Sequence, residues 1–139
     1  MSKKILVVED NPTNMRLIRM VLRNKGYILL EATDGEEALA VAMEGRPDLI
    51  IMDIQLPKMD GLEVTRRLRR TPEFKKTPII ALTASAMEGD REKIISAGCD
   101  EYISKPVNTR RFPELVAEML QRGSPSISGD GGGKENPGN

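Results

Sequence analysis

Five residues with oxygen or cationic side chains stand where short apolar runs stop. Glu9 and Asp10 follow Ile5-Leu6-Val7-Val8, and Asp53 follows Leu49-Ile50-Ile51-Met52. Thr83 follows Ile79-Ile80-Ala81-Leu82, and Lys105, with Pro106 after it, follows the weaker run Tyr102-Ile103. An ionised carboxylate at the end of an apolar strand is costly unless it is paired or bound to metal. Three carboxylates in one place, with waters and a carbonyl, suit a hard, oxygen-seeking cation such as Mg²⁺. The Thr83 hydroxyl can hydrogen-bond a phosphoryl oxygen, and the Lys105 ammonium can pair with one as a point charge. Together the set fits attack by Asp53 on a phosphoryl group, with metal and lysine neutralising the oxygens of a loose transition state. The product would be an acyl phosphate on Asp53. Singly, each residue also has a bland role. Glu9-Asp10 equally solvates a strand end or caps a helix, a lone Asp on a buried strand is more often structural, and Thr at a strand end or Lys before Pro is ordinary. The ordered conjunction of all five favours the chemical reading.

These groups meet only if the apolar runs are strands of one sheet. The runs, with Ile28-Leu29-Leu30 among them, are continuous rather than alternating, which is the pattern of strands covered on both faces. Between them lie stretches of helical period. Phe112, Leu115, Val116, Met119 and Leu120 fall at i, i+3, i+4, i+7 and i+8, and Met15, Ile18 and Leu22 make a similar stripe. Asn11 before Pro12 reads as an N-cap and first helical position, and Asp34 and Asp60 as further N-caps. Gly26, Gly45 and Gly98 mark helix ends. The spacing predicts helices near 12–25, 34–44, 60–70, 88–97 and 110–121. Five βα units imply an α/β fold with a single doubly wound (βα)5 parallel sheet and right-handed crossovers. By analogy with other doubly wound proteins the strand order is taken as flavodoxin-like, 2-1-3-4-5. Ligands in such sheets bind beyond the carboxyl ends of the strands where the order reverses, here between strands 1 and 3, where Glu9, Asp10 and Asp53 lie.

Composition narrows the function further. With 21 basic and 21 acidic residues the net charge is zero, which gives no support for direct nucleic-acid binding. No apolar run reaches the roughly 18 residues of a membrane span. About four apolar residues follow Met1-Ser2-Lys3-Lys4, too few for a signal peptide. There is one cysteine and no histidine, so zinc ligation and a Ser-His-Asp triad lack material. A cytoplasmic protein is expected. The Arg66-Arg67 and Arg69-Arg70 run is expected to be a solvated helix face, the methionines to be ordinary core and initiator positions, and Cys99 to be a small buried or half-buried hydrophobe. Residues 1–122 are read as the folded domain. Residues 123–139 are mostly Gly, Ser, Pro, Asn and charge, and are expected to be a disordered tail, either a native extension or a linker to something else. Gly131-Gly132-Gly133 has no strand before it and no helix after it, so it is not a phosphate loop.

The sequence closely resembles the response-regulator receiver domain of two-component signalling. The resemblance rests on Ile5-Leu6-Val7-Val8-Glu9-Asp10-Asn11, on Asp48 to Asp53 followed by Leu56-Pro57 and Met59-Asp60-Gly61, on Leu82-Thr83-Ala84 and on Lys105-Pro106. It covers about residues 3–121, with all landmarks in order at family spacing. It implies that Asp53 is the phosphoacceptor. It implies also that Asp10, Asp53 and the Gln55 backbone carbonyl bind Mg²⁺ directly, Glu9 mostly through water, and that Thr83 and Lys105 grip the phosphoryl group. Tyr102 matches the aromatic switch position, and Lys105-Pro106 would be a cis bond. The implied partners are a histidine kinase or histidine phosphotransfer protein upstream. Downstream, the implied partner is a protein target that reads the face of the fourth helix, fifth strand and fifth helix. Asp10-Asn11-Pro12-Thr13-Asn14 looks like receivers of hybrid kinases and of stand-alone regulators. Such a module is not a classical enzyme, although it assists its own phosphorylation and dephosphorylation.

Two other classes compete. A phosphohydrolase with an aspartyl-phosphate intermediate would place a second Asp two residues after the nucleophile, where this chain has Gln55, and would need a cap insertion for which the connections are too short. A pseudo-receiver scaffold that never takes up phosphate is disfavoured by the intact set of site residues.

Overall fold

The computed structural model describes residues 2–84 and 87–122. The expected tail, residues 123–139, lies outside the described residues. The elements run β1 (Lys4–Val8), α1 (Pro12–Leu22), β2 (Ile28–Ala32), α2 (Gly35–Gly45), β3 (Leu49–Asp53), α3 (Gly61–Arg70), a short 3-10 turn (Pro72–Phe74), β4 (Ile79–Thr83), α4 (Glu88–Ala97), β5 (Glu101–Ser104) and α5 (Arg111–Arg122). All strand pairs are parallel, in the order β2-β1-β3-β4-β5. Both the fold class and the strand order read from the sequence are found.

Side chains alternate across the sheet with the strand period of two. Ile5, Val7, Leu49, Ile51, Ile80 and Leu82 face α1 and α5, where they meet Ile18, Phe112 and Val116. Leu6, Val8, Ile50, Met52, Ile79 and Ala81 face the other way, against Ala38, Val64, Leu68 and Ile94 of α2, α3 and α4. This double cover is why the strands read as unbroken apolar runs. The two phenylalanines, Phe74 and Phe112, are both fully buried and supply bulk that the aliphatic residues alone would not.

The helix starts follow their caps. Asn11 accepts hydrogen bonds from the Thr13 and Asn14 amides, Asp34 from Glu37, and Asp60 from Glu63. The ends differ in detail. Helix α1 stops at Leu22 rather than near 25, because the chain turns through two left-handed residues, Asn24 and Gly26. Gly45 is the last residue of α2 rather than its cap, and the left-handed cap falls on Arg46. Gly98 does cap α4 with φ of 117°.

The reading of the arginine run needs one correction. Arg66, Arg67 and Arg70 lie on the solvent side and share Glu63, but Arg69 turns inward. Its guanidinium donates to the carbonyls of Gly98, Phe74 and Thr77 at 2.7–2.9 Å and to Asp100 at 2.8 Å. It thereby joins the end of α3, the 3-10 turn and the α4–β5 connection. Four residues after buried Thr65, Arg69 sits at the rim of the buried stripe of α3, and that spacing was the available signal. The methionines also divide: Met15, Met52 and Met119 are core, whereas Met20, Met43 and Met87 are exposed. Cys99 is buried. No helix among the described residues is long and apolar enough to cross a membrane.

Candidate metal centre

The register of the sheet brings four strand ends to one rim. Val8 pairs with Met52, Asp53 with Leu82, and Thr83 with Ser104. Glu9 follows β1, Asp53 ends β3, Thr83 ends β4 and Lys105 follows β5, so all four stand at the carboxyl edge. The Glu9 amide donates to Ala32 O, the Ile54 amide to Leu82 O, and the Lys105 amide to Thr83 O. Each hydrogen bond extends the sheet pattern by one residue and fixes where these side chains leave the backbone.

Asp53 is only 1% exposed. One of its oxygens, Oδ1, accepts the Gln55 amide at 3.0 Å, and the other, Oδ2, lies 3.0 Å from Lys105 Nζ. Glu9 is equally buried. Its Oε2 accepts the Asn11 amide at 3.1 Å. Its Oε1 is buried and accepts no hydrogen bond, although Lys105 Nζ stands in ion contact at 3.3 Å. Asp10 is exposed at the mouth, and carboxylate oxygens of Glu9, Asp10 and Asp53 all lie within 4.8 Å of one another. Thr83 is buried beside them. The Lys105–Pro106 peptide is cis.

The electrostatics ask for a cation. With all three acids ionised, one lysine leaves an excess of two negative charges. Burial first, and then the neighbouring Asp53 carboxyl, pushes the Glu9 pKa up to about 7, against the opposing pull of the Asn11 amide and Lys105. Burial disfavours the Lys105 ammonium, but the hydrogen bond and charge of Asp53, with Glu9 behind them, outweigh it and hold its pKa above the ordinary value. Unsatisfied Glu9 Oε1, three converging carboxylates and an all-oxygen donor set fit a hard divalent ion such as Mg²⁺.

Two residues singled out from sequence stand apart from the acid cluster. Gln55 reaches Asp53 through its backbone amide, and its side chain is exposed. Tyr102 lies on β5 opposite Ala81, half-buried, with the Arg91 guanidinium of α4 at 5.5 Å from its ring centroid.

A parallel sheet with acids, hydroxyl and lysine gathered on its carboxyl rim defines a class, and comparison with known proteins agrees. The sequence model for the response regulator receiver domain matches residues 5–117, and this chain belongs to that family, the phosphorelay signalling modules of two-component systems. Among its relatives, the polar-differentiation response regulator DivK of Brucella anthropi is 48% identical over 120 residues, spanning 86% of this chain and 98% of the relative. The receiver domain of sensor histidine kinase PA1611 from Pseudomonas aeruginosa, solved with a magnesium ion coordinated in its active site cleft, is 38% identical. It has a TM-score of 0.80 and covers 87% of this chain and 99% of its own. Chemotaxis response regulator CheY4 of Vibrio cholerae is 29% identical with a TM-score of 0.81, covering 86% of this chain and 99% of its own.

Proposed function

We propose that Asp53 is the phosphoacceptor of this receiver and that Glu9, Asp10, Asp53 and the Gln55 carbonyl hold the Mg²⁺ on which acceptance depends. The observation that carries this reading is the buried Asp53–Lys105–Glu9 cluster, with an ammonium 3.0 and 3.3 Å from two carboxylates and a third within reach. A bound Mg²⁺ would supply the charge that neutralises phosphoryl oxygens. An Asp53 oxygen attacks phosphorus, the bond from phosphorus to the donor's imidazole nitrogen breaks, and the imidazole leaves and regains its proton from water. Lys105 transfers its contact from Asp53 Oδ2 to the new phosphoryl group, and the Thr83 hydroxyl donates to another of its oxygens. The donor is a histidine kinase or a histidine phosphotransfer protein. The compartment is the cytoplasm, where buried, reduced Cys99 is at home. The groove between α4 and β5, lined by Arg91, Ile95 and Tyr102, belongs to the face through which a protein target would read the phosphorylated state.

Labelling tests the proposal. Incubation with acetyl phosphate and Mg²⁺ should add one phosphoryl group by mass spectrometry, and neither Asp53→Asn nor chelated wild type should take it up. Asp10→Ala should abolish labelling, and undiminished labelling of that variant would remove the metal site from the account. Catalytic turnover of a small phosphomonoester, in place of stoichiometric labelling, would favour a phosphohydrolase.

A further inference from the structure

We infer that Gly61 is a positioning residue for the acceptor: its lack of a side chain lets the start of α3 rest directly on the Asp53–Ile54 peptide and hold it in place. This rests on the reading of Asp53 as phosphoacceptor and extends it to a residue that touches neither metal nor phosphate. A Cβ at Gly61 would fall 2.1 Å from the Asp53 carbonyl oxygen and 2.9 Å from Ile54 Cα. The obstacle is backbone and cannot swing aside as a side-chain tip does. The Gly61 amide also donates to Ile54 O at 2.9 Å, so the following peptide, Ile54–Gln55, is tied to the helix start by a hydrogen bond.

The rest of the connection is pinned as well. Ile54 donates to Leu82 O across the sheet, Met59 donates to Pro57 O at 2.7 Å, and Lys58 holds a left-handed φ of 68°. Asp60 caps α3 through Glu63 N. Gln55, whose amide steadies Asp53 Oδ1 and whose carbonyl is a proposed ligand, is the residue after this braced peptide. A side chain at 61 must push α3 off the sheet or push the peptide into the site. Either way, the Asp53 carboxylate and Gln55 carbonyl lose their mutual placement, and shifts of about 1 Å are costly in such sites.

The test is Gly61→Ala beside Leu68→Ala, which opens a cavity under the same helix but leaves its first turn alone. Both are kept at a temperature where circular dichroism shows them folded. Mg²⁺ alone is titrated by calorimetry, and amide shifts are recorded in metal-free protein. The expected result is at least tenfold weaker Mg²⁺ binding in Gly61→Ala with shifts concentrated at 53–55, and binding within twofold of wild type in Leu68→Ala. Wild-type affinity in Gly61→Ala, or an equal loss in Leu68→Ala, overturns the inference. If Gly61→Ala does not fold, Asp60→Ala and Asp60→Asn decide. Both remove the charge and only Asn keeps the cap, so weaker Mg²⁺ binding in Ala than in Asn supports the brace and equal binding overturns it. A wild type that neither binds Mg²⁺ nor labels would instead defeat the underlying proposal.

Discussion

Cys99 shows how strongly a single environment can set chemistry in this domain. Burial pushes its thiol from an ordinary value of 9.0 up to about 11, against the weaker opposing effects of Thr65 and Arg69. It should therefore react with a disulfide reagent at pH 8 only as fast as the protein opens. Because the folded pKa is the higher one, the unfolded chain loses its proton first as pH rises. The thiol's contribution to stability is complete below about pH 9 and declines through pH 11. Urea midpoints at pH 8 and 10.5 should fall further in wild type than in Cys99→Ala, and equal falls would contradict the shift. Thr83 invites a different test. It stands on β4 two register steps beyond the pairing of Ala81 with Tyr102. A phosphoryl group brings roughly two negative charges to the rim. If Thr83 moves toward them, Tyr102 can turn inward, provided the gain exceeds the Arg91 contact, worth about 0.5–1 kcal/mol at an exposed site. Thr83→Ala should still accept phosphate, yet beryllofluoride should no longer shift the amides of α4 and α5. Identical shifts in both proteins would sink the coupling.

At the scale of elements, Arg69 is the contact most open to measurement. It donates to four carbonyls, the one of Lys75 at a longer 3.3 Å, and to Asp100 at the junction of α3, the 3-10 turn and the α4–β5 connection. Asp100 also accepts the Ile79 amide at the start of β4. Arg69→Met keeps the stem but leaves those acceptors short of donors, at a cost of roughly 2–4 kcal/mol by chemical denaturation. Arg66→Met, on the solvent side, should cost less than about 0.5 kcal/mol. The contrast shows what a sequence discloses. Strands β1, β3 and β4 were legible because continuous apolar runs end in polar or charged residues, and the rim followed because the strands of a parallel sheet end on the same edge. The caps at Asn11, Asp34 and Asp60 are local chemistry and were equally plain. The inward turn of Arg69 was hinted at only by its place at the rim of the α3 stripe, since its acceptors come from segments that only folding brings near. The closeness of Gly61 to Asp53 was hidden for the same reason, as a missing atom leaves no pattern. The end of α1 was misplaced because Asn24, rather than Gly26 alone, takes a left-handed turn.

At the scale of the whole molecule, the described residues build a five-stranded sheet and two cores up to Arg122, with the last periodic apolar residues of α5 already packed. Because residues 123–139 are mostly Gly, Ser, Pro, Asn and charge, their removal should move the melting temperature by less than about 2 °C. A drop of several degrees by calorimetry would show that the tail packs on the domain. The rim has a consequence for biosynthesis. Glu9 follows β1 and Lys105, the cation that balances it, follows β5, so the counter-charge is made only after all five strands. Until then the nascent chain holds its acids without their counter-charge. No shorter translation product or nicked fragment lacking β5 should be able to take up the signal. On the proposed reading, completion of β5 and Lys105 would act as a checkpoint, and an unfinished copy would stay silent toward the phosphodonor instead of competing with finished ones.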